Sequence, residues 1–216
     1  MERIRFQEML SRLKGEVTSM LKDVTDQFNR LYEALESMDK TKAEAIISFD
    51  EAINEKEDKI NEDSFLIIAK ECPVASDLRM IMTAIRIAND LERIGDYACN
   101  LAKYIIHTTT KHEYNKAILD YFKPLMAMFD IIQHAYLEND VVEALKVAKM
   151  DERIDGIYEN HVKKFIRILK HEVDISASEA GRILFVIKQL ERTGDHLTNI
   201  SEAIIYCVRA ERLTLN

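Results

Sequence analysis

The chain is 216 residues long, enough for one large or two modest domains with a sizeable core. With 47% apolar and 31% charged residues it is globular in composition, and five Gly and two Pro leave little room for a turn-rich β architecture. A net charge of −8 counts against a dedicated nucleic-acid binder, whose cations must displace phosphate counterions, and no Trp is present to offer a stacking platform.

Six helical segments are predicted, roughly over 3–37, 40–70, 74–108, 112–137, 140–171 and 177–212. The opening Met1-Glu2-Arg3-Ile4-Arg5-Phe6 lacks the apolar core of a signal peptide, so a cytoplasmic location is expected. Cys72-Pro73 interrupts the second segment and is expected to start the third, since Pro suits a first helical turn. Pro124 falls inside the fourth and is expected to kink it. Ser176 with Glu179 makes a capping box for the sixth. The connections are short, which makes consecutive helices antiparallel. No run of about eighteen apolar residues spans a membrane. Cys72, Cys99 and Cys207 are widely spaced, without a Cys-x-x-Cys pair, and read as reduced thiols serving as small core residues.

Laid over itself, the chain repeats. Leu91-Glu92-Arg93-Ile94-Gly95-Asp96, with Asn100 beyond, returns 99 residues later as Leu190-Glu191-Arg192-Thr193-Gly194-Asp195, with Asn199. Phe49-Asp50-Glu51-Ala52-Ile53-Asn54 returns 101 residues later as Met150-Asp151-Glu152-Arg153-Ile154-Asp155. At that same offset Val17, Leu21, Val24, Phe28 and Leu31 fall on Ile118, Phe122, Leu125, Phe129 and Ile132, apolar stripes at helical spacing. The expected fold is therefore all-α: two tandem three-helix bundles, over 1–109 and 110–216, made of six long antiparallel helices.

Asp50, Glu92, Asp151 and Glu191 each directly follow a stripe residue, about 100° round the helix from the core direction. Asn54, Asp96, Asp155 and Asp195 lie one turn on, and Asn100 and Asn199 continue two of the rows. The rotation has the same sense in all four helices, so antiparallel neighbours turn these flanks either toward one another or both away. Convergence would place several carboxylates together, with the repulsion relieved by protonation or by a cation. Oxygen donors suit hard cations such as Mg²⁺, Ca²⁺, Mn²⁺ or iron; the plain alternative is a solvated flank. Gly95 and Gly194 cost helix stability yet recur between the acids, which points to close approach by a neighbouring helix or by a ligand, helix packing being favoured because both lie on the apolar stripe. His196 is either an added ligand or a packing residue, with Tyr97 at its repeat position. Arg93 and Arg192 either pair within the bundle or hold phosphate or a partner's acid.

Cys72-Pro73-Val74-Ala75-Ser76-Asp77-Leu78-Arg79, followed by Ile87-Ala88-Asn89-Asp90-Leu91-Glu92-Arg93-Ile94-Gly95-Asp96, resembles the signature of the PhoU family of bacterial phosphate-signalling regulators. The resemblance covers essentially the whole chain. It implies two three-helix bundles packed end to end or side by side, usually as a homodimer, with iron or zinc clusters on acidic surfaces. It also implies action beside the ATPase subunit of a phosphate ABC transporter and a sensor histidine kinase, reaching the membrane only through these partners. Carried over by position, the acidic pairs fall on Asp50 and Asn54, Glu92 and Asp96, Asp151 and Asp155, and Glu191 and Asp195. Asn54, and Tyr97 where a His is common, depart from the pattern and suggest a weaker N-terminal site.

Two other classes compete with a regulatory adaptor. A carboxylate-bridged di-metal enzyme or metal store of the ferritin-like type needs Glu-x-x-His on two helices, and no Glu in this chain has His three residues later. A ligand-free helical scaffold is the remaining alternative. No glycine-rich phosphate loop or basic cleft is legible, and no nucleophile lies beside a base, so no enzymatic activity is expected.

Overall fold

The computed structural model describes residues 2–108, 112–171, 176–211 and 213–215. The helices are α1 (Glu2–Ser37), α2 (Lys40–Glu71), α3 (Ala75–His107), α4 (His112–Leu119), α5 (Phe122–Glu138), α6 (Val141–Ala144), α7 (Lys146–His171) and α8 (Ala177–Arg209). They form six rods, because α4 with α5 and α6 with α7 are each one rod with a break. The expected boundary at 109/110 falls on residues outside those described.

Each break has a cause. Pro124 is the third residue of α5, and its ring excludes the carbonyl of Asp120, four residues back, from helical geometry. The rod therefore ends at Leu119 and restarts at Phe122, with Leu125 N–H returning to the Tyr121 carbonyl at 3.2 Å. The break at Leu145 has no local signal in the sequence. Ser201, from α8, donates to the buried Ala144 carbonyl at 2.6 Å, and a side chain inserted into the helical ladder interrupts it.

The ends of the helices follow their caps. Asp39 and Asp140, at equivalent repeat positions, accept from the backbone N–H groups two and three residues on. Ser176 and Glu179 form the expected reciprocal capping box. Pro73 departs from expectation: it lies outside α3, which is entered through extended Val74. Cys72, before the proline, is barred from continuing the helix and closes α2 in the left-handed region at φ 46°.

The stripes are the core. Val17, Leu21, Val24, Phe28 and Leu31, and their counterparts Ile118, Phe122, Leu125, Phe129 and Ile132, are all buried in one hydrophobic cluster spanning both repeats. The bundles pack side by side. At one seam Thr83 meets Ala203, Tyr97 meets His196 and Asn100 meets Gln189, so α3 and α8 are antiparallel. At the other, Phe28 packs on Phe129 with ring centroids 5.2 Å apart, and Thr25 accepts from Gln133. The result is a front layer ordered α2–α3–α8–α7, with α1 and α4–α5 behind it.

Because each acidic cap satisfies two amides at a helix start, Asp39→Ala and Asp140→Ala should each cost about 1 kcal/mol. Urea unfolding should show lower midpoints at unchanged slope; an unshifted midpoint would contradict the cap assignment.

Candidate functional site

In both repeats the acidic flanks turn toward one another. The helix that carries the glycine makes this possible. A Cβ at Gly95 would stand 3.3 Å from Asp50 Oδ1 and 3.4 Å from Ile53, so α2 lies tightly against α3 there. In the C-terminal repeat the fit is closer still: a Cβ at Gly194 would overlap Asp151 Oδ1 and touch Ile154 Cδ1 at 3.1 Å. The glycines thus serve helix packing, and the atom they admit is the carboxylate of the neighbouring helix.

Asp155, Glu191 and Asp195 converge at the C-terminal groove, each offering an oxygen within 4.8 Å of the others. Asp151 lies deeper than the rim position expected from the sequence, only 5% exposed, with Oδ2 accepting from Thr198 at 3.0 Å. Burial, partly offset by Thr198, pushes the Asp151 carboxyl up to about 7. Glu191 and Asp195 are also raised, first by burial and then by neighbouring carboxylates, with Lys188 opposing. Asn199, half-buried, follows one turn beyond Asp195.

The N-terminal groove is shallower. Asp50 is raised mainly by burial, with the Asp96 charge adding to it and Cys99 and Gln27 opposing. Glu92 is raised by burial and by Asp96, Glu57 and Asp50, with Arg93 opposing. Asn54 is exposed, one turn along α2 from Asp50. Asn100 is directed elsewhere: its amide donates to Gln189 across the α3–α8 seam at 3.3 Å. Arg93 pairs with Glu92 at 3.6 Å and with Asp96 at 4.0 Å, a bridge within the bundle.

His196 belongs to the seam. Its Nδ1 contacts Asp90 Oδ1 at 2.8 Å and its Nε2 meets the Tyr97 hydroxyl at 3.1 Å, so both ring nitrogens are engaged within the protein. Several participants escape a reading of the acids alone. Cys99 and Thr198 occupy one repeat position, and each lies against the first acid of its groove; their shared offset of 99 was the available signal. Glu57, seven residues after Asp50 and so on the same flank, was visible by spacing.

The chemistry of the donors suits a hard cation. Among the described residues, Asp50 Oδ1, Asp151 Oδ1 and Glu191 Oε2 are buried acceptors with no hydrogen-bond partner. Buried polar atoms of this kind ordinarily find a donor, a water or an ion. Clustered carboxylates with raised pKa values supply oxygen ligands whose mutual repulsion a bound cation would remove.

A duplicated all-helical unit with a carboxylate groove in each copy defines a class of two-repeat helical-bundle proteins. A family model described as the PhoU domain matches residues 17–105 and again 122–204, and the chain belongs to the PhoU family. It is 33% identical over 208 residues to the phosphate-specific transport system accessory protein PhoU homolog 1 of Thermotoga maritima, spanning 95% of this chain and 89% of that one. The homolog from Clostridium acetobutylicum is 32% identical, with both chains covered in full. Among solved structures, the phosphate transport system regulatory protein PhoU from Streptococcus pneumoniae superposes with a TM-score of 0.87 at 27% identity, covering 97% of this chain and 99% of that one. PhoU from Pseudomonas aeruginosa does so with a TM-score of 0.86 at 29% identity, covering 95% and 100%. These are accessory and regulatory proteins, and the family is non-enzymatic. Among the described residues no helix is long and apolar enough to cross a membrane.

Two predictions test the site's geometry. Gly194→Ala should lose roughly 1–3 kcal/mol to overpacking against Asp151, despite Ala's better helix propensity, and Gly95→Ala should lose less. Equal urea midpoints for the two variants would contradict the closer fit at Gly194. The second concerns protons in the metal-free protein. A folded-state pKa near 7 for Asp151, against 3.8 ordinarily, means the unfolded chain ionises first as pH rises. Stability is therefore lost between about pH 4 and 7 and stays lost above that window. Asp151→Asn removes the penalty, so it should raise the melting temperature at pH 8 and leave it nearly unchanged at pH 4.

Proposed function

We propose that this protein is a negative regulator of phosphate uptake and phosphate-starvation signalling. It works in the cytoplasm as a metal-loaded helical adaptor between the ATPase subunit of a phosphate ABC transporter and a sensor histidine kinase. The observation that carries this reading is the match, along the whole chain, to relatives named as accessory proteins of phosphate-specific transport. A homodimer and a peripheral attachment to the membrane through these partners complete it.

The acidic grooves are the ligand sites in this reading. Asp151, Asp155, Glu191 and Asp195 hold one centre, and Asp50, Glu92 and Asp96, with Asn54, hold the other. Asn100 and Asn199 stand one turn beyond. Iron or zinc follows the family resemblance, and Mg²⁺, Mn²⁺ or Ca²⁺ would suit the same oxygens. The metal's contribution is to neutralise the carboxylates and make each groove a defined contact surface. The protein acts by occupying partners, and it must bind their states with different affinity, because equal affinity for two states shifts neither. A ligand-free scaffold is the competing reading; elemental analysis of protein purified without chelator separates the two.

Glu191→Ala with Asp195→Ala should abolish metal in the C-terminal groove and leave the N-terminal groove loaded. Adding Glu92→Ala and Asp96→Ala should leave a folded, metal-free protein. In its host, that quadruple variant and a deletion should both leave starvation genes on and raise uptake in phosphate-rich medium. Normal repression by the folded quadruple variant would make the grooves incidental to signalling. Normal repression in the deletion strain would overturn the regulatory reading.

A further inference from the structure

Lys188 stands at the mouth of the C-terminal groove as a cation on a tether. It lies on α8 one turn before Glu191, and its ammonium donates to Glu191 Oε1 at 2.5 Å. The same ammonium sits 4.9 Å over the ring of Tyr158, on α7. It is also close enough to Asp195 to favour that residue's charged form. It therefore acts on two of the three residues whose oxygens converge in this groove.

The N-terminal repeat has neither part of this arrangement. Ninety-nine residues before Lys188 stands Asn89, and 101 residues before Tyr158 stands Glu57. Among the described residues, the cation paired with Glu92 there is Arg93, at the looser 3.6 Å, and it reaches Asp96 at 4.0 Å.

We infer that Lys188 is a built-in counter-cation that competes with metal for the C-terminal groove. This rests on the metal reading of the grooves. The ammonium and a metal ion both need Glu191, and two cations cannot share so small a space without repulsion. Glu191 has a side chain only 11% exposed, so its contact with Lys188 is shielded from the water that makes ordinary surface bridges weak. Lys188 itself is 44% exposed, and its flexible stem lets the head swing into solvent when an ion arrives. Loading the C-terminal groove is thus an exchange against a tight, shielded ammonium contact, whereas loading the N-terminal groove displaces only the looser, more exposed Arg93 bridge. The asymmetry offsets the sequence difference noted above, in which Asn54 gives the N-terminal groove one carboxylate fewer. It also makes loading visible on the surface, since an ammonium leaves the groove for the front layer's outer face.

The test uses the full chain carrying Glu92→Ala with Asp96→Ala, so that only the C-terminal groove is counted. Mn²⁺ is added, and the free ion is followed by its electron paramagnetic resonance signal. Lys188→Gln should tighten Mn²⁺ binding roughly tenfold, the loss of one charge-assisted competitor. Lys188→Arg should stay near the unsubstituted affinity. Lys188→Met, which keeps the apolar stem over Tyr158, should behave as the Gln variant and covers the case in which Gln folds poorly. Conversely, with Glu191→Ala and Asp195→Ala disabling the C-terminal groove, Asn89→Lys should weaken binding to the N-terminal one. Mn²⁺ binding unchanged or weakened in both Lys188→Gln and Lys188→Met, with the groove occupied, would overturn the counter-cation and leave the metal reading standing. Absence of Mn²⁺ binding to either groove of the natural protein would overturn both.

Discussion

The close approach of α2 to α3, and of α7 to α8, is the constraint on which the grooves depend. Helix axes ordinarily stand about 8–10 Å apart because side chains fill the space between them. Gly95 and Gly194 remove a side chain where the pairs meet, and a carboxylate from the facing helix enters the vacated volume. The same step that tightens packing therefore buries charge. Asp50 and Asp151 are carried inward from the rim, and Oδ1 of each is buried without a donor. Raised carboxyl pKa values follow from that burial. The acidity of the surface and the packing of the core are consequently one arrangement.

Much of this could be read from the amino acids, and the parts that could not have physical reasons. The six rods, the duplication and the buried stripes were legible because helical periodicity and a repeat offset are properties of sequence itself. So were the four acidic pairs. Whether their flanks faced together or apart was not, because that depends on the hand in which three helices wind, and the same pattern serves either hand. The break at Leu145 was hidden because its cause, Ser201, lies 56 residues away on α8. Pro73 was expected in the first turn of the third helix and instead precedes it, because the sequence shows a proline near a helix start without showing that Cys72 turns left-handed before it. Asn100 sat in the expected row, yet the row curves away round α3 until its third member reaches α8.

Duplication has also freed the two repeats to differ. Thr198 supports Asp151 with a hydroxyl where Cys99 stands beside Asp50 with a thiol held protonated, its pKa pushed up by burial and by Asp50 to about 12. Asn54 stands where the other repeat has Asp155, and Lys188 where the other has Asn89. At the seam, Tyr97 and His196 occupy equivalent positions and have become partners, the hydroxyl of one meeting the ring nitrogen of the other. Divergence at this position adds a polar contact to the apolar core that the halves share.

The order of the front layer has a geometric consequence. The two grooves lie between α2 and α3 and between α8 and α7, so two helix spacings separate them, roughly 16–20 Å. In the adaptor reading proposed above, the seam of α3 on α8 fixes that interval, and the protein would be a gauge as well as a contact surface. A partner whose own contacts match the interval can seat on both prongs at once, with the second engagement made intramolecular by the first. A partner with contacts at another pitch reaches one prong only and forfeits that gain. Selection among partners can then be made by spacing alone, before any particular side chain is compared.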